Sequence, residues 1–464
     1  MFARQSLIGE RCWRHFLLSA LLWQLLGPAQ AVVIAEPIDR LREIGVRVES
    51  YARARERLRH DRWRKLHAFP ALSKMEVKAG GWYLTFDDRH IDDQGHVRPA
   101  VLQLCSERIL VQGVSVRNTE LNNEGLVSLG QISSLLALDL NGTYVDDDGL
   151  KHVTSWPELR DLDLGESDIT DAGLRHLKKA AQLEVLVLAG GDISDNGMSH
   201  VAVLKQLRQL ILTGCMVTRA GIAKLTSLPG LDSLGLGETN IHAEDLQGLS
   251  ALTQLRVLDL FGTATDDQGM RHVRDHRGIV ALNLGACEGI TDEGVSYLSE
   301  LTTLRGLLLR KTGFEVKKLT GEGVRHLSRL ARLEVLDLHA VQIDDKSARH
   351  LMQLKQLRDV DLSLTQLTDE GLTALSSLQR LERIALVYSP GFAGPQITDE
   401  GVVHLAPLKQ LKSLNLIGAK ITDKSLELLV SLKRLEKLAL TGTEISSAGL
   451  QRLRQALPHC KIQE

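Results

Sequence analysis

Recognisable catalytic equipment is what this sequence lacks. Its 464 residues contain no GxSxG elbow, no HExxH pair, no Walker loop and no paired CxxC. Hydrolytic, zinc-dependent, phosphate-binding and thiol-redox chemistries therefore have no motif to act through. A net charge of −2, from 56 basic and 58 acidic residues, is nearly balanced and speaks against a general nucleic-acid binder, which needs a basic surplus. Long apolar runs are missing too. Phe16 to Leu26 is an eleven-residue stretch, about half of what a membrane span requires. Cysteine is scarce, with five in the chain.

What is present is an echo of 24 residues. Leu135 to Val145 reads LLALDLNGTYV and Leu159 to Ile169 reads LRDLDLGESDI, each followed by a helix-like tail, DDDGLKHV and TDAGLRHL. The phrase returns around Leu207, Leu231, Leu255, Leu333, Leu357, Leu411 and Leu435. Counted from its first leucine, a unit is apolar at places one, four, six, eleven, sixteen, nineteen and twenty-two, as in Leu357, Val360, Leu362, Leu367, Leu372, Leu375 and Leu378. Val360 and Leu362 alternate with Asp359, Asp361 and Ser363, which predicts a strand with one buried face. Leu372, Leu375 and Leu378 recur every third residue and predict a short helix. Thr368-Asp369 stands where it can cap that helix. Gly371 costs helix stability, so its place implies close packing.

A repeat of this length predicts a stacked solenoid. The phrase resembles the leucine-rich repeat, in the class LxxLxLxxTxITDxGLxxL that is similar to ribonuclease-inhibitor-like proteins, F-box repeat proteins and bacterial secreted repeat proteins. The resemblance covers about residues 80 to 464. It implies an α/β fold, a right-handed horseshoe solenoid with a concave parallel sheet, convex helices and about fifteen repeats. It also implies that the ninth-place side chain bonds the backbone of the turn between repeats. That column holds Thr119, Thr143, Ser167, Cys215, Thr239, Thr263, Cys287, Thr312, Thr365, Ser389 and Thr443, while Arg89, Gly191, Val341 and Ala419 depart from it.

Four segments are expected. Residues 1–31 read as a signal peptide, with Arg4, Arg11 and Arg14 before the apolar stretch and Ala29-Gln30-Ala31 as cleavage site. Cleavage near Ala31 would leave a secreted or periplasmic protein. Residues 32–80 read as an amino-terminal cap. Within it, Pro37 to Val48 suggests a short helix and strand, and Tyr51 to Lys65 a basic helix docked by Trp63. That basic helix either closes the first repeat or meets an anionic partner. Residues 81–456 form the repeat domain and 457–464 a carboxy-terminal cap, with Pro458 stopping the last helix. Cys215 and Cys287 share a column three repeats apart, about 14 Å at strand spacing. Cys105 and Cys460 lie near opposite ends of the array. No intrachain disulfide is expected.

Asp92-Asp93, Asp146-Asp147-Asp148, Asp266-Asp267 and Asp344-Asp345 lack the spacing of a calcium loop and fit helix starts. Place eighteen is histidine at His152, His176, His200, His272, His326, His350 and His404. A linear ladder does not close a metal site easily, and half-exposed groove filling is the simpler reading. No metal and no cofactor are expected. On the concave face, Asp139, Asp161 and Asp163 form one cluster and Asp337, Asp359 and Asp361 another. Five residues are inserted after Leu309 and six after Leu386, at the same place in their repeats. They either build a binding edge or reflect tolerant loops.

Interface anchors tend to be aromatic or arginine. Phe261, Arg310, Phe314, His339, Tyr388 and Phe392 are thus the expected partner contacts. The expected function is a non-catalytic protein-interaction scaffold, monomeric, with a protein partner, no nucleic acid and no transmembrane span. Alternatives are the substrate receptor of an F-box-type ubiquitin ligase, an inhibitor or regulator of a secreted enzyme, and a structural surface or matrix component.

Overall fold

A computed structural model describes residues 37–54, 81–106, 109–312, 319–389 and 394–464. The expected signal peptide, most of the basic segment with Trp63, and both Phe314 and Phe392 lie outside these residues. Two compact units follow one another, one up to Asp192 and one from Ile193.

The repeat builds both units in the same way. In the repeat that begins at Leu357, the strand is Asp359–Asp361. Its middle residue Val360 and the flanking Leu357, Leu362 and Leu367 are fully buried, as are Leu372, Leu375 and Leu378 on the opposite wall. Those wall segments are short α-helices, 3-10 helices or both in succession, as at Asp171–Leu174 followed by Arg175–Lys179. The every-third-residue spacing of their leucines suits 3-10 winding as well as α. Neighbouring strands pair parallel and in register, for example Val335↔Asp359, Leu336↔Val360 and Asp337↔Asp361. Each place of the repeat therefore stacks on itself.

The first unit contains β1 (Arg47–Ser50), β2 (Trp82–Thr85), β3 (Val111–Ser115), β4 (Ala137–Asp139), β5 (Asp161–Asp163) and β6 (Val185–Val187). A helix at residues 37–43 precedes β1, matching the helix and strand read from Pro37 to Val48. Strand β1 pairs antiparallel with β2, which covers a sheet edge that would otherwise expose its backbone. The next turn is helical, and its Tyr51 and Ala54 pack on Tyr83 and Ala137.

The second unit contains β7 (Gln209–Ile211), β8 (Ser233–Gly235), β9 (Val257–Asp259), β10 (Ala281–Asn283), β11 (Gly306–Leu308), β12 (Val335–Asp337), β13 (Asp359–Asp361), β14 (Arg383–Ala385), β15 (Ser413–Asn415), β16 (Lys437–Ala439) and β17 (Lys461–Gln463). Its consecutive strands pair parallel, and β17 comes from the half-repeat after Pro458. The last helix, Ser447–Ala456, ends two residues before that proline.

Three columns lock the stack. The ninth-place hydroxyl donates to the carbonyl of place six, as in Thr143 to Leu140 at 2.6 Å and Thr365 to Leu362 at 2.6 Å. The turn partner is thus a backbone carbonyl. Cys287 donates its thiol to Leu260 O at 3.1 Å, and burial pushes its pKa up to about 11.

The Thr-Asp pair divides its labour. Thr368 caps its own helix through Glu370 N–H, whereas Asp369 reaches into the next repeat and accepts Thr398 N–H at 2.8 Å and Thr398 Oγ1–H at 2.6 Å. Asp345 does the same to Thr368, and Asp267 to Thr291. Asp pairs follow the same division. Asp266 caps its own helix while Asp267 clamps the following one.

Place eight is left-handed, a column that sequence reasoning missed. Glu238 has φ +56°, Gly262 +65°, Ala286 +57°, Lys311 +55°, Ala340 +60° and Leu364 +55°.

Candidate binding face

The face of β7–β17 opposite the leucine core carries places three, five and seven. On β9–β12, place three is Val257, Ala281, Gly306 and Val335, and place five is Asp259, Asn283, Leu308 and Asp337. Val257, Ala281, Leu308 and Val335 join Val280 in one apolar cluster, distinct from the leucine interior. None of these five residues was singled out in the sequence.

The place-five polar groups orient place seven. Asp259 Oδ1 accepts Phe261 N–H at 3.0 Å, Asn283 Oδ1 accepts Gly285 N–H at 3.0 Å, and Asp337 Oδ1 accepts His339 N–H at 3.0 Å. Burial pushes Asp259 up to about 6 and raises Asp337 and Asp361 as well. The acidic clusters read from sequence are thus partly strand-end caps.

Phe261 and Arg310 meet over Gly285. A Cβ on residue 285 would fall 2.9 Å from Phe261 Cδ2 and 2.8 Å from Arg310 Cγ, so only glycine lets the ring and the arginine stem approach. Among the described residues Arg310 forms no ion pair. Its charge reaches Asp337, where it lowers the carboxyl, and His339. His339 is largely covered, with Nδ1 3.9 Å from Asp361 Oδ1. Burial holds its pKa below the ordinary value. Three of the six expected contacts, Phe261, Arg310 and His339, therefore gather beside the apolar cluster.

Tyr388 stands apart, after β14. It is half-buried, and a Cβ on residue 394 would fall 2.7 Å from its Cδ2. It occupies place eight yet is not left-handed as its column neighbours are. In the first unit the same face is acidic, with Asp139, Asp161 and Asp163 all buried. Burial, then the Asp163 charge, pushes Asp139 up to about 6.

Place two carries a second unread pattern. In the second unit it runs Arg208, Asp232, Arg256, Val280, Arg305, Glu334, Arg358, Glu382, Lys412 and Glu436. Signs alternate everywhere except at Val280. Arg358 Nη1 lies 2.6 Å from Glu382 Oε1, Lys412 Nζ lies 2.7 Å from Glu382 Oε2, and Arg305 pairs with Glu334. The convex histidines at place eighteen are all half-buried, as groove-filling residues should be. Arg175 Nε lies 3.2 Å from His176 Nε2.

The strand–helix register, the polar ninth column and the Thr-Asp clamp repeat from unit to unit. The fold is that of the leucine-rich repeat. The family description "Leucine Rich repeat" matches residues 279–299 and 354–376, one on the candidate face and one just after it. A comparison with curated proteins returns no match. Among solved leucine-rich-repeat structures, an internalin from Listeria monocytogenes is similar, with 24% identity over 79% of this chain and 92% of that one and a TM-score of 0.51. A leucine-rich-repeat protein of Leptospira interrogans is similar at 17% identity, over 82% and 95%, with a TM-score of 0.47. Among the described residues, no helix is long and apolar enough to cross a membrane.

Proposed function

We propose that this chain is an exported, non-catalytic scaffold that binds a partner protein at the face of β9–β12 opposite the leucine core, through the side chains at its place-seven end. The observation that carries the reading is the pair of half-buried anchors Phe261 and Arg310, which meet over Gly285 beside the covered apolar cluster of Val257, Val280, Ala281, Leu308 and Val335. Apolar centres flanked by aromatic and arginine anchors are the usual anatomy of an interface hot spot. Phe314, Phe392 and Tyr388 belong to the proposed surface on sequence grounds alone, as edge-loop contacts. Export rests on the basic start, short apolar stretch and Ala29-Gln30-Ala31.

The test is a comparative capture from the native compartment. The mature chain should retain a partner that Arg310→Glu loses and that a convex substitution, His350→Ala, keeps. A partner retained equally by all three would overturn the reading. Amino-terminal sequencing of the secreted protein should begin near Val32, and an intact Met1 would remove export from the proposal.

A further inference from the structure

We propose that the rim of the second unit where β12–β16 begin is a second binding surface, for a linear acidic polysaccharide. It lies at the opposite end of the strands from Phe261 and Arg310. In each repeat the chain leaves the wall helix through a two-residue turn and then enters the next strand. The leucines at its ends close the turn. Leu357 N–H donates to Leu354 O at 3.0 Å, Leu381 to Leu378 at 3.0 Å, Leu411 to Leu408 at 3.1 Å and Leu435 to Leu432 at 3.1 Å. Those leucines are buried, so the two residues between them stand out at the same place of every repeat.

Before β12, β13, β14, β15 and β16 these turns carry Arg332, Lys355, Arg380, Lys409 and the pair Lys433-Arg434, and no acid. All six cations are exposed and, among the described residues, none forms an ion pair. Their partners are neutral. Arg380 donates to Gln356 Oε1 and Arg434 to Gln410 Oε1, while Lys355 Nζ lies 3.2 Å from Ser377 Oγ. The glutamines, one repeat earlier, thus order two guanidiniums without cancelling their charge. The surplus is local. The turns before β8, β9 and β11 are Pro229-Gly230, Thr253-Gln254 and Thr302-Thr303, all uncharged, and Arg277 before β10 is paired with Glu300. At place two, Glu334 and Glu382 are held by Arg305, Arg358 and Lys412. Glu436 is outnumbered by Lys433, Arg434 and Lys437.

Successive turns stand about 4.8 Å apart at strand spacing, so the row runs about 19 Å with a cation at each step. Such a row fits a stiff chain that carries one anionic group per sugar, and guanidiniums already held in place bind carboxylate or sulfate by charge-assisted hydrogen bonds. Single-stranded nucleic acid is held by basic grooves together with stacking aromatics. Between Leu330 and Val335, and at the same places of the next four repeats, no aromatic residue occurs. An anionic membrane or an acidic peptide would need apolar contacts as well, and the leucines of the turns are buried. The occupant is therefore an acidic polysaccharide.

The experiment uses the mature chain at low ionic strength, where surface charge is least screened. Four fluorescein-labelled probes of similar length are compared: an oligogalacturonate, its methyl ester, an oligoglutamate and a uridine RNA. The oligogalacturonate should bind and be released by added salt, and its methyl ester should not bind. Gln356→Glu combined with Gln410→Glu, which sets a carboxylate beside each ordered guanidinium, should weaken binding at least about tenfold. Arg380→Ala combined with Arg434→Ala should do the same. Arg310→Glu on the candidate face and Arg325→Ala on a wall helix should leave the sugar bound. Circular dichroism and a melting curve establish that the variants are folded. No binding of the oligogalacturonate, equal binding of its methyl ester, undiminished binding to the folded glutamine variant, an equal loss on Arg325→Ala, or tighter binding of the glutamate or RNA probe would each overturn the inference.

Discussion

The carboxylate of Asp369 fills the space in which a side chain on residue 401 would begin, with Oδ1 2.0 Å from the position of a Cβ there. Asp345 stands likewise at 2.4 Å from residue 371, and Asp423 at 2.3 Å from residue 449. Glycine early in these helices is the counterpart of an aspartate one repeat earlier.

Gly401→Ala should therefore destabilise the protein. In an ordinary helix the exchange gains about 1 kcal/mol. Here it displaces Asp369 and breaks its bonds to Thr398, for a net loss of about 2 kcal/mol. Urea unfolding of the single variant, and of the pair with Asp369→Ala, checks this. A stabilised single variant, or strictly additive losses in the pair, would refute the coupling.

The signature Thr-Asp-x-Gly was legible in the sequence as capping and close packing, but its direction was not. Gly371 was read as a packing glycine, which it is, yet the group packed against it is Asp345 from the repeat before. Contacts between positions some 26 residues apart carry no local pattern. The strand and core places of Val360 and Leu362 were legible because burial on one face imposes a period of two. The binding face was legible only in part. Phe261, Arg310 and His339 stand out by residue type, whereas Val280 and Leu308 look like any other aliphatic residue until the column is aligned. The left-handed place eight was hidden because Glu238, Lys311 and Leu364 occupy it alongside glycine.

That column supplies a second expectation. Glu238 is exposed with φ +56°, a conformation that costs an L-residue about 1–2 kcal/mol. Glu238→Gly should gain roughly 0.5–1 kcal/mol after its larger unfolded-state entropy is offset, and Glu238→Val should lose more than that. Melting temperatures of the two variants decide, and the reverse order would be fatal to the argument from strain.

Asp139 predicts a pH dependence. Burial pushes its carboxyl from the ordinary 3.8 up to about 6. Between these values the folded protein keeps a proton that the unfolded chain releases. Its contribution to stability is therefore present at about pH 4, falls as pH rises to about 6 and stays lost above. Asp139→Asn keeps an acceptor for the Asn141 amide and a partner for Ser115. It should stabilise the protein at neutral pH by roughly 1–3 kcal/mol and much less near pH 4. A pH-independent difference between variant and parent would contradict this.

Arg310→Ala should leave stability within about 0.5 kcal/mol, since its guanidinium forms no ion pair among the described residues. It should nevertheless weaken partner capture. Chemical denaturation run beside the capture experiment separates the two effects, and a large loss of stability would make Arg310 part of the scaffold.

The aspartate clamp is not continuous. At the place of Asp267 and Asp292, the repeats before and after carry Ala243 and Gly321, which have no carboxylate to reach forward. Asp266 and Asp344, the next helix caps, are left to hold only their own helices. The three repeats beginning at Leu255, Ile279 and Leu304 are tied by Asp267–Thr291 and Asp292–Thr320 and bounded on both sides by untied joints. In a stack whose stability is carried neighbour to neighbour, such joints are fault lines. The candidate face lies largely on these three repeats. Amide exchange should register this as a common protection factor for residues 255–312 that differs from that of the repeats beyond Asp344.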